Sequence, residues 1–187
     1  MDDIKMYLIE VAQELIQKHG YNGFSYRDIA AKVGIKSASI HYHFPTKADL
    51  GTAVAVNYKD RFMERLDAMD AAGADSNELL TCYASLFREA LAEDNRMCLC
   101  GMLGAEVTSL PDAVANEVRR FFEANLDWLS GVFSRNSDTN KKRPIEKPEA
   151  EAQLMIASLE GALILAKGLG DPSIFDKTAA AALERYR

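Results

Sequence analysis

The most constraining feature of the sequence is the spacing of three residues in the stretch DIAAKVGIKSASIHYHF. Ala30, Gly34 and Ile40 stand at relative positions one, five and eleven, which is the packing skeleton of a helix-turn-helix. A small Ala30 lets two helices cross closely, and Gly34 can adopt the positive φ of a tight turn. The pattern predicts short helices over 25–33 and 37–44, with one face of the second left exposed.

The charge of the chain is unevenly distributed around this motif. The whole sequence has a formal net charge of -6, yet its first fifty residues hold six Lys/Arg and six Asp/Glu. Between Phe24 and Lys47 there are four basic residues against Asp28 alone, together with two histidines. Because phosphate binding needs local positive charge, this basic segment is the place where an acidic chain of this kind could contact nucleic acid.

Periodic apolar residues predict further helices along the rest of the chain. They cover about 4–19, 47–69, 77–91, 100–108, 111–134, 148–169 and 172–187, and no strand pattern interrupts them. The polar segment 135–147 lacks periodicity and is expected to be a mobile connection. The sequence therefore predicts an all-α fold, with a DNA-binding domain over 1–47 joined by a long helix to a second helical domain over 48–187.

Targeting signals and cysteine frameworks are not evident. The N-terminal residues lack the cationic start and apolar run of a signal peptide, which favours a cytosolic protein. The three cysteines, Cys82, Cys98 and Cys100, have neither zinc-site spacing nor a CxxC motif and are interpreted as reduced thiols. We expect neither a metal nor a cofactor.

The segment GFSYRDIAAKVGIKSASIHYHFPTKADL resembles the N-terminal pattern of the TetR/AcrR family of transcriptional regulators. The resemblance implies a homodimer that binds operator DNA, with repression as the usual outcome. It also implies that 48–187 is a ligand-binding and dimerisation domain. It also implies DNA-facing positions on the two motif helices and at the start of the next helix: Arg27, Lys36, Ser37, Ala38, Ser39, His41, Tyr42, His43 and Lys47. Their chemistry agrees, since Arg27 can bind guanine in a bidentate manner and Ser, Tyr and Lys side chains suit bases or phosphates.

The family resemblance also implies a small-molecule pocket among the middle helices. The predicted lining for an apolar or cationic inducer is Phe62, Met102, Glu106, Phe122 and Leu126. A carboxylate such as Glu106 could meet a ligand amine, and a structural or interface ion pair is the alternative for it. Most other large apolar residues of this half are expected to form the core.

A thiol sensor is a second hypothesis for the same half. The segment RMCLCGML, with Lys167 in GALILAKG, resembles TetR-family members that sense electrophiles or oxidants. A neighbouring cation would favour the reactive thiolate of Cys98. The alternative is a buried packing cysteine.

The apolar stretch MIASLEGALILAKGL predicts a helix that needs a partner on more than one side. Its small residues permit close approach of another helix, so a two-fold interface is expected at Ala157, Gly161, Ile164, Leu165 and Gly168. A purely intrachain core remains the alternative. In a two-fold dimer the recognition helices lie about 34–36 Å apart and match a palindromic operator.

Catalysis is not predicted. The sequence contains no phosphate-binding glycine loop, no metal-ligand spacing and no set of nucleophile, base and orienting group. We therefore expect no catalytic residues and predict a ligand-responsive DNA-binding regulator, with repression relieved by a small-molecule or thiol-reactive inducer. A helical small-molecule-binding protein without a DNA role is the alternative, and it would tolerate the loss of Arg27 and Tyr42.

Overall fold

The computed structural model describes residues 3–92, 96–139 and 145–186, and within them the side chains of all but 136–139. All regular structure in these ranges is helical, which confirms the predicted all-α fold. A 3₁₀ turn, Val107–Ser109, accompanies the α-helices α1 Asp3–His19, α2 Tyr26–Val33, α3 Ser37–His43, α4 Lys47–Ala71, α5 Ser76–Ala92, α6 Leu99–Ala105, α7 Asp112–Thr139, α8 Pro148–Leu169 and α9 Ser173–Glu184.

The chain forms two compact units. The N-terminal unit comprises Met1–Arg61 and Leu99–Phe121, and the C-terminal unit comprises Phe62–Cys98 and Phe122–Arg187. Helices α4 and α7 each contribute residues to both units. The functional boundary expected at residue 47 coincides with the start of α4 and stays a prediction.

The core of the N-terminal unit gathers the apolar faces of its first helices. Ile29 of α2, Ile40 of α3 and Leu50 of α4 are fully buried, together with Leu8 and Ile16 of α1. Burying side chains of this size contributes roughly 1.5–3 kcal/mol each. The 3.6-residue period visible in the sequence is thus the period of the buried face.

Two helix starts in this unit carry matching side-chain caps. The Asp28 carboxylate accepts hydrogen bonds from the Ser25 amide and hydroxyl, both at 2.7 Å. The Asp49 carboxylate does the same for Thr46, whose hydroxyl in turn accepts the Asp49 amide at 3.1 Å. These caps satisfy amide groups that the first helical turn leaves unpaired.

Helix α8 has two apolar faces, and only one of them is covered in the single chain. Helices α5 and α9 pack on it and bury residues such as Met155, Leu159 and Leu163. On the other face Ile164 is 60% exposed and Leu165 54% exposed. Its length and mean hydropathy are also those of a membrane-spanning helix, but core helices of soluble proteins have the same composition.

The predicted connection 135–147 is wrong in its first part. Helix α7 continues to Thr139, and the Arg135 guanidinium binds both Asp70 carboxylate oxygens at 2.8 and 3.0 Å. A polar sequence of this kind can stay helical when such a partner lies beside it. Residues 140–144 of the predicted connection lie outside the described residues.

Gly34 provides a direct test of the turn between α2 and α3. Its φ is +77°, and a Cβ at this position would meet no atom within 4 Å, so replacement adds backbone strain without a clash. We expect Gly34→Ala to lower the free energy of unfolding by about 1 to 2 kcal/mol, measured by urea denaturation followed by circular dichroism.

Gly131→Ala is the matched control for this change. Gly131 lies inside α7, also with open space around its Cβ position, but it has no positive φ. The same substitution there should stabilise the protein by about 0.5–1 kcal/mol. Equal effects at the two glycines would contradict the assigned turn.

Candidate nucleic-acid interface

The exposed face of α3 carries most of the residues predicted to contact DNA. Ile40 is fully buried, whereas Ala38, Ser39 and His41 are exposed. Tyr42 is also exposed, with 85% of its surface accessible. The helix therefore attaches by one side and presents small and hydrogen-bonding side chains on the other.

Tyr26 of α2 fixes the C-terminal end of this helix. Its buried hydroxyl is shared between the carbonyl of Phe44 at 2.9 Å and that of Thr46 at 2.6 Å. Burial is the main cause that raises the pKa of Tyr26 to about 12, so the hydroxyl remains a donor throughout the physiological range. One side chain thus satisfies two carbonyls at the junction of α3 and α4.

The two histidines of α3 also make contacts within the N-terminal unit. The His41 ring lies 4.6 Å from the Tyr26 ring, and its Nδ1 is 3.2 Å from the Pro45 carbonyl. The ring of half-buried His43 meets the Tyr42 ring edge-on at 5.1 Å. These contacts restrict the rotamers of His41 and Tyr42 while leaving both side chains open to solvent.

The other predicted DNA-facing residues surround α3. Arg27, the second residue of α2, is exposed, as is Lys36 at the N-terminal cap of α3. Half-buried Ser37 begins the helix. Two cationic side chains and two serine hydroxyls therefore occupy neighbouring positions in the motif.

Lys47 has a structural partner that the sequence did not reveal. Its ammonium donates to the Phe24 carbonyl at 2.6 Å and lies 4.2 Å from the centre of the Phe24 ring and 4.9 Å from that of Tyr21. Burial lowers the pKa of Lys47, and the attraction of Asp28 and Glu106 opposes that shift. The side chain therefore stabilises the segment before α2 in the absence of DNA.

Comparison with known proteins decides the family. Residues 8–54 match the tetR family of bacterial regulatory proteins. A TetR transcriptional regulator from Legionella pneumophila is 33% identical, with 100% of this chain and 99% of that chain covered and a TM-score of 0.90. The chain belongs to the TetR family.

Further relatives agree with this assignment. A TetR-family regulator from Agrobacterium tumefaciens is 32% identical over 97% of this chain and 96% of its own, with a TM-score of 0.89. The HTH-type transcriptional repressor DhaR of Mycobacterium sp. (strain GP1) is 25% identical over 88% of this chain and 82% of its own length. As a TetR-family protein, the chain is a DNA-binding regulator of transcription.

Glu106, predicted from the TetR resemblance to meet a ligand, has another use in the N-terminal unit. Its carboxylate accepts the Tyr21 amide at 2.8 Å. The carboxylate also fills the space that a Cβ on residue 20 would occupy. This residue is Gly20, which has a φ of +78°. A second bond, from Asn22 to the Ser109 hydroxyl at 3.1 Å, lies beside it. Glu106 therefore connects the end of α6 to the α1–α2 loop. This bond is stabilising because the Tyr21 amide would otherwise lack an acceptor.

The other predicted inducer-binding residues are distributed over the chain. Met102 of α6 belongs to the N-terminal unit, and Phe62, Phe122 and Leu126 belong to the C-terminal unit. Phe62 is buried, with its ring edge-on to those of Tyr83 and Phe87 at 5.8 and 5.6 Å. Phe62 is therefore part of an aromatic core, and ligand contact by this set stays a prediction.

Cys98 is fully buried in the C-terminal unit, and an acidic side chain lies beside it. The carboxyl of Glu160 lies beside the sulfur, and a carboxylate opposes the negative charge of a thiolate. Lys167 follows Glu160 by seven residues on α8, which is about 10 Å along a helix. A sensor role for Cys98 and Lys167 stays a prediction, and it requires a reagent that reaches a buried sulfur.

Metal ligation is not indicated by the structure. No group of three or more His, Cys, Asp or Glu side chains suited to a metal ion occurs among the described residues. The sequence reasoning missed two residues: Tyr26, which packs under α3, and Glu160, an acid in the apolar run SLEGALIL. A carboxylate in such a run is itself an unusual signal, since unpaired acids are rarely buried.

The role of Tyr26 can be tested by removing one oxygen atom. Tyr26→Phe keeps the ring but leaves the Phe44 and Thr46 carbonyls without this donor. We expect a loss of about 1–3 kcal/mol in the free energy of unfolding and faster amide exchange at the end of α3. Tyr7→Phe, at a tyrosine 46% exposed on α1, is the control. Equal stability of the two variants would show that the hydroxyl does not hold α3.

Proposed function

We propose that this protein is a homodimeric, cytosolic repressor that binds a palindromic operator through α3 of each protomer and leaves it when a small molecule binds. The supporting observation is the exposed polar face of α3, fixed from below by Tyr26. A helix held in this way can enter a major groove without losing much conformational entropy.

In this proposal the predicted residues divide into two kinds of contact. Base edges are read from the N-terminal part of α3, by Ser37 and Ser39 hydroxyls, the Ala38 methyl group and the neighbouring Arg27 guanidinium. Phosphates are bound by charged or hydrogen-bonding side chains around that centre: Lys36, His41, Tyr42, His43 and Lys47. Lys47 can do this while keeping its bond to Phe24, because an ammonium has three donors.

Release requires a connection between ligand binding and the position of α3. Helix α4 begins beside Tyr26 and continues into the C-terminal unit, and Glu106 ties the end of α6 to the loop before α2. A ligand-dependent shift of either helix would alter the separation of two recognition helices in a dimer. A coupling of about 1–3 kcal/mol is enough for regulation.

The uncovered face of α8 supports the homodimer. Ala157 and Gly168 are exposed beside Ile164 and Leu165, and a Cβ on Gly161 would meet no atom within 4 Å. Small residues between exposed branched ones allow a second α8 to approach closely. Regulators of this family dimerise. We propose that the two protomers of this protein contact each other through this exposed face of α8.

Operator binding should depend on Arg27. We expect Arg27→Ala to weaken binding by about tenfold to a hundredfold, the cost of one base-contacting arginine, and to relax the preference at one base pair. The measurement is fluorescence anisotropy with a labelled operator duplex at several salt concentrations. Arg119→Ala, at an exposed arginine on α7, should leave affinity unchanged. Equal operator affinities of the two variants would contradict a contact between Arg27 and DNA.

The dimer surface can be tested with a charge. Ile164→Glu should convert a dimer to a single chain of 20.7 kDa, because an unpaired carboxylate in an apolar interface loses its hydration. Sedimentation equilibrium measures the mass. Met69→Glu places the same charge at a side chain 37% exposed on α4 and should leave the mass unchanged. A variant Ile164→Glu that retains twice the single-chain mass would contradict the proposed interface.

A further inference from the structure

The C-terminal unit contains a group of buried polar atoms that have no ordinary hydrogen-bond partner in the described part of the chain. Both carboxylate oxygens of Glu160 on α8, the Tyr83 hydroxyl on α5 and Nε1 of Trp128 on α7 are inaccessible to solvent. None of these atoms has an ordinary hydrogen bond to the described residues. We call Tyr83, Trp128 and Glu160 the polar cluster.

Ring stacking and a charge interaction link the three side chains of the polar cluster. The rings of Tyr83 and Trp128 are stacked, with centroids 5.8 Å apart and planes inclined by 16°. The charge of Glu160 is one of the causes that raise the pKa of Tyr83, after burial and Cys98. Three helices therefore contribute polar side chains to one place inside the unit.

Leaving such atoms unpaired is costly. Buried polar groups in folded proteins nearly always have a protein or water partner, and a carboxylate has the highest cost of those present here. Burial raises the pKa of Glu160 to about 7, and the Cys98 thiol, a weak donor beside it, opposes the shift. A binding partner of opposite charge would recover this cost.

The surroundings of the cluster favour a cation over a neutral partner. Phe62 and Phe87 lie edge-on at 5.6 Å, and the Tyr83 ring lies 5.3 Å from that of Phe87 and 5.8 Å from that of Phe62. Aromatic faces attract cations, and a carboxylate among them supplies the full opposite charge. Its two acceptor oxygens match the N–H donors of an amine.

We propose that Tyr83, Trp128 and Glu160 form a binding site for a small organic cation, a protonated arylalkylamine or a quaternary ammonium compound, with Glu160 as its counter-ion. The inference rests on the proposed function, because this cation would be the molecule that regulates operator binding. The site differs from the lining predicted from the sequence, which omitted all three residues. The Trp128 N–H remains available to a carbonyl or hydroxyl group of the ligand.

Affinity for the cation should rise with pH. Only the ionised carboxylate attracts it, and the pKa of Glu160 at about 7 places that ionisation between pH 6 and 8. Facing titratable groups are Cys98, from the segment before α6, and Tyr83 from α5; α9, which also packs on α8, contributes no charge to either shift. An amine that stays protonated over this range reports the carboxyl alone.

The experiment uses the single tryptophan of the chain as its reporter. Full-length protein is titrated with benzylamine, with benzyltrimethylammonium and with benzyl alcohol as the uncharged counterpart, and Trp128 fluorescence is followed at pH 6 and 8. We expect a saturable change with both cations that is stronger at pH 8. Relative to cation binding by the wild type, the affinity of the wild type for benzyl alcohol should be lower by about tenfold or more. The affinity of Glu160→Gln for either cation should be lower by the same factor. Glu149→Gln, at an exposed acid of the same helix, should bind like the wild type.

Folding of the key variant is checked by its melting temperature. An acid with a raised pKa keeps its proton longer when folded than when unfolded, so the folded state loses stability as pH rises from about 4.5 to about 7. Glu160→Gln removes this loss and should melt higher than wild type at pH 8, with a smaller difference at pH 5. If Glu160→Gln melted at a lower temperature than wild type at pH 8, this would contradict the claim that the Glu160 carboxylate has no counter-ion in the free protein.

The remaining outcomes separate this inference from the proposed function. If neither cation binds, if benzyl alcohol binds equally well, or if Glu160→Gln binds the cations like wild type, the cluster is not a cation site. Operator anisotropy on the same samples keeps the two questions apart. Operator binding without cation binding overturns this inference alone, whereas cation binding without operator binding overturns the proposed function and leaves the site in place.

Discussion

The Tyr26 hydroxyl is the contact on which the presentation of α3 depends. A helix of seven residues is too short to be stable alone, so its orientation must come from tertiary contacts. Ile40 anchors it to the core, and Tyr26 satisfies two carbonyls where the chain leaves it for α4. The exposed face can consequently be given to polar side chains without loss of order.

In the C-terminal unit, helix α8 has more than one role. Its covered face packs against α5 and α9, and its uncovered face exposes Ile164 and Leu165. Glu160 lies on the same helix, and its buried carboxylate oxygens have no ordinary hydrogen-bond partner among the described residues. A helix this apolar would not normally retain a buried acid for stability alone, because burial of an unpaired charge is unfavourable. Its presence is better explained by a binding role.

Local features of the fold were predictable, and contacts distant in sequence were not. The start of α4 at Lys47 follows from the Thr46 cap, and the bounds of α8 follow from Pro148 and the Gly170 that ends it. The predicted end of α7 was wrong because an ion pair supports the last turns of the helix. This pair joins Arg135 to Asp70, which lies 65 residues away in the sequence. Glu106 likewise found its partner 85 residues away, at the Tyr21 amide. No periodicity reveals such pairs.

The DNA-facing surface illustrates both sides of this limit. Exposure of Tyr42 and burial of Ile40 follow from the helical period, so the face of α3 was recognisable from sequence. The inward bond of Lys47 to the Phe24 carbonyl depends on how two loops fold together, and only the structure reveals it. The polar cluster escaped notice for a similar reason, since Tyr83, Trp128 and Glu160 come from three separate helices.

Selection of binding sites from a random pool of DNA duplexes tests the central claim most directly. With reduced, ligand-free protein, the account predicts enrichment of a palindrome whose half-sites are centred about one helical turn apart or slightly more. Enrichment of a single asymmetric site would contradict the two-fold dimer. Failure to enrich any sequence would contradict the account of α3 as a reader of DNA.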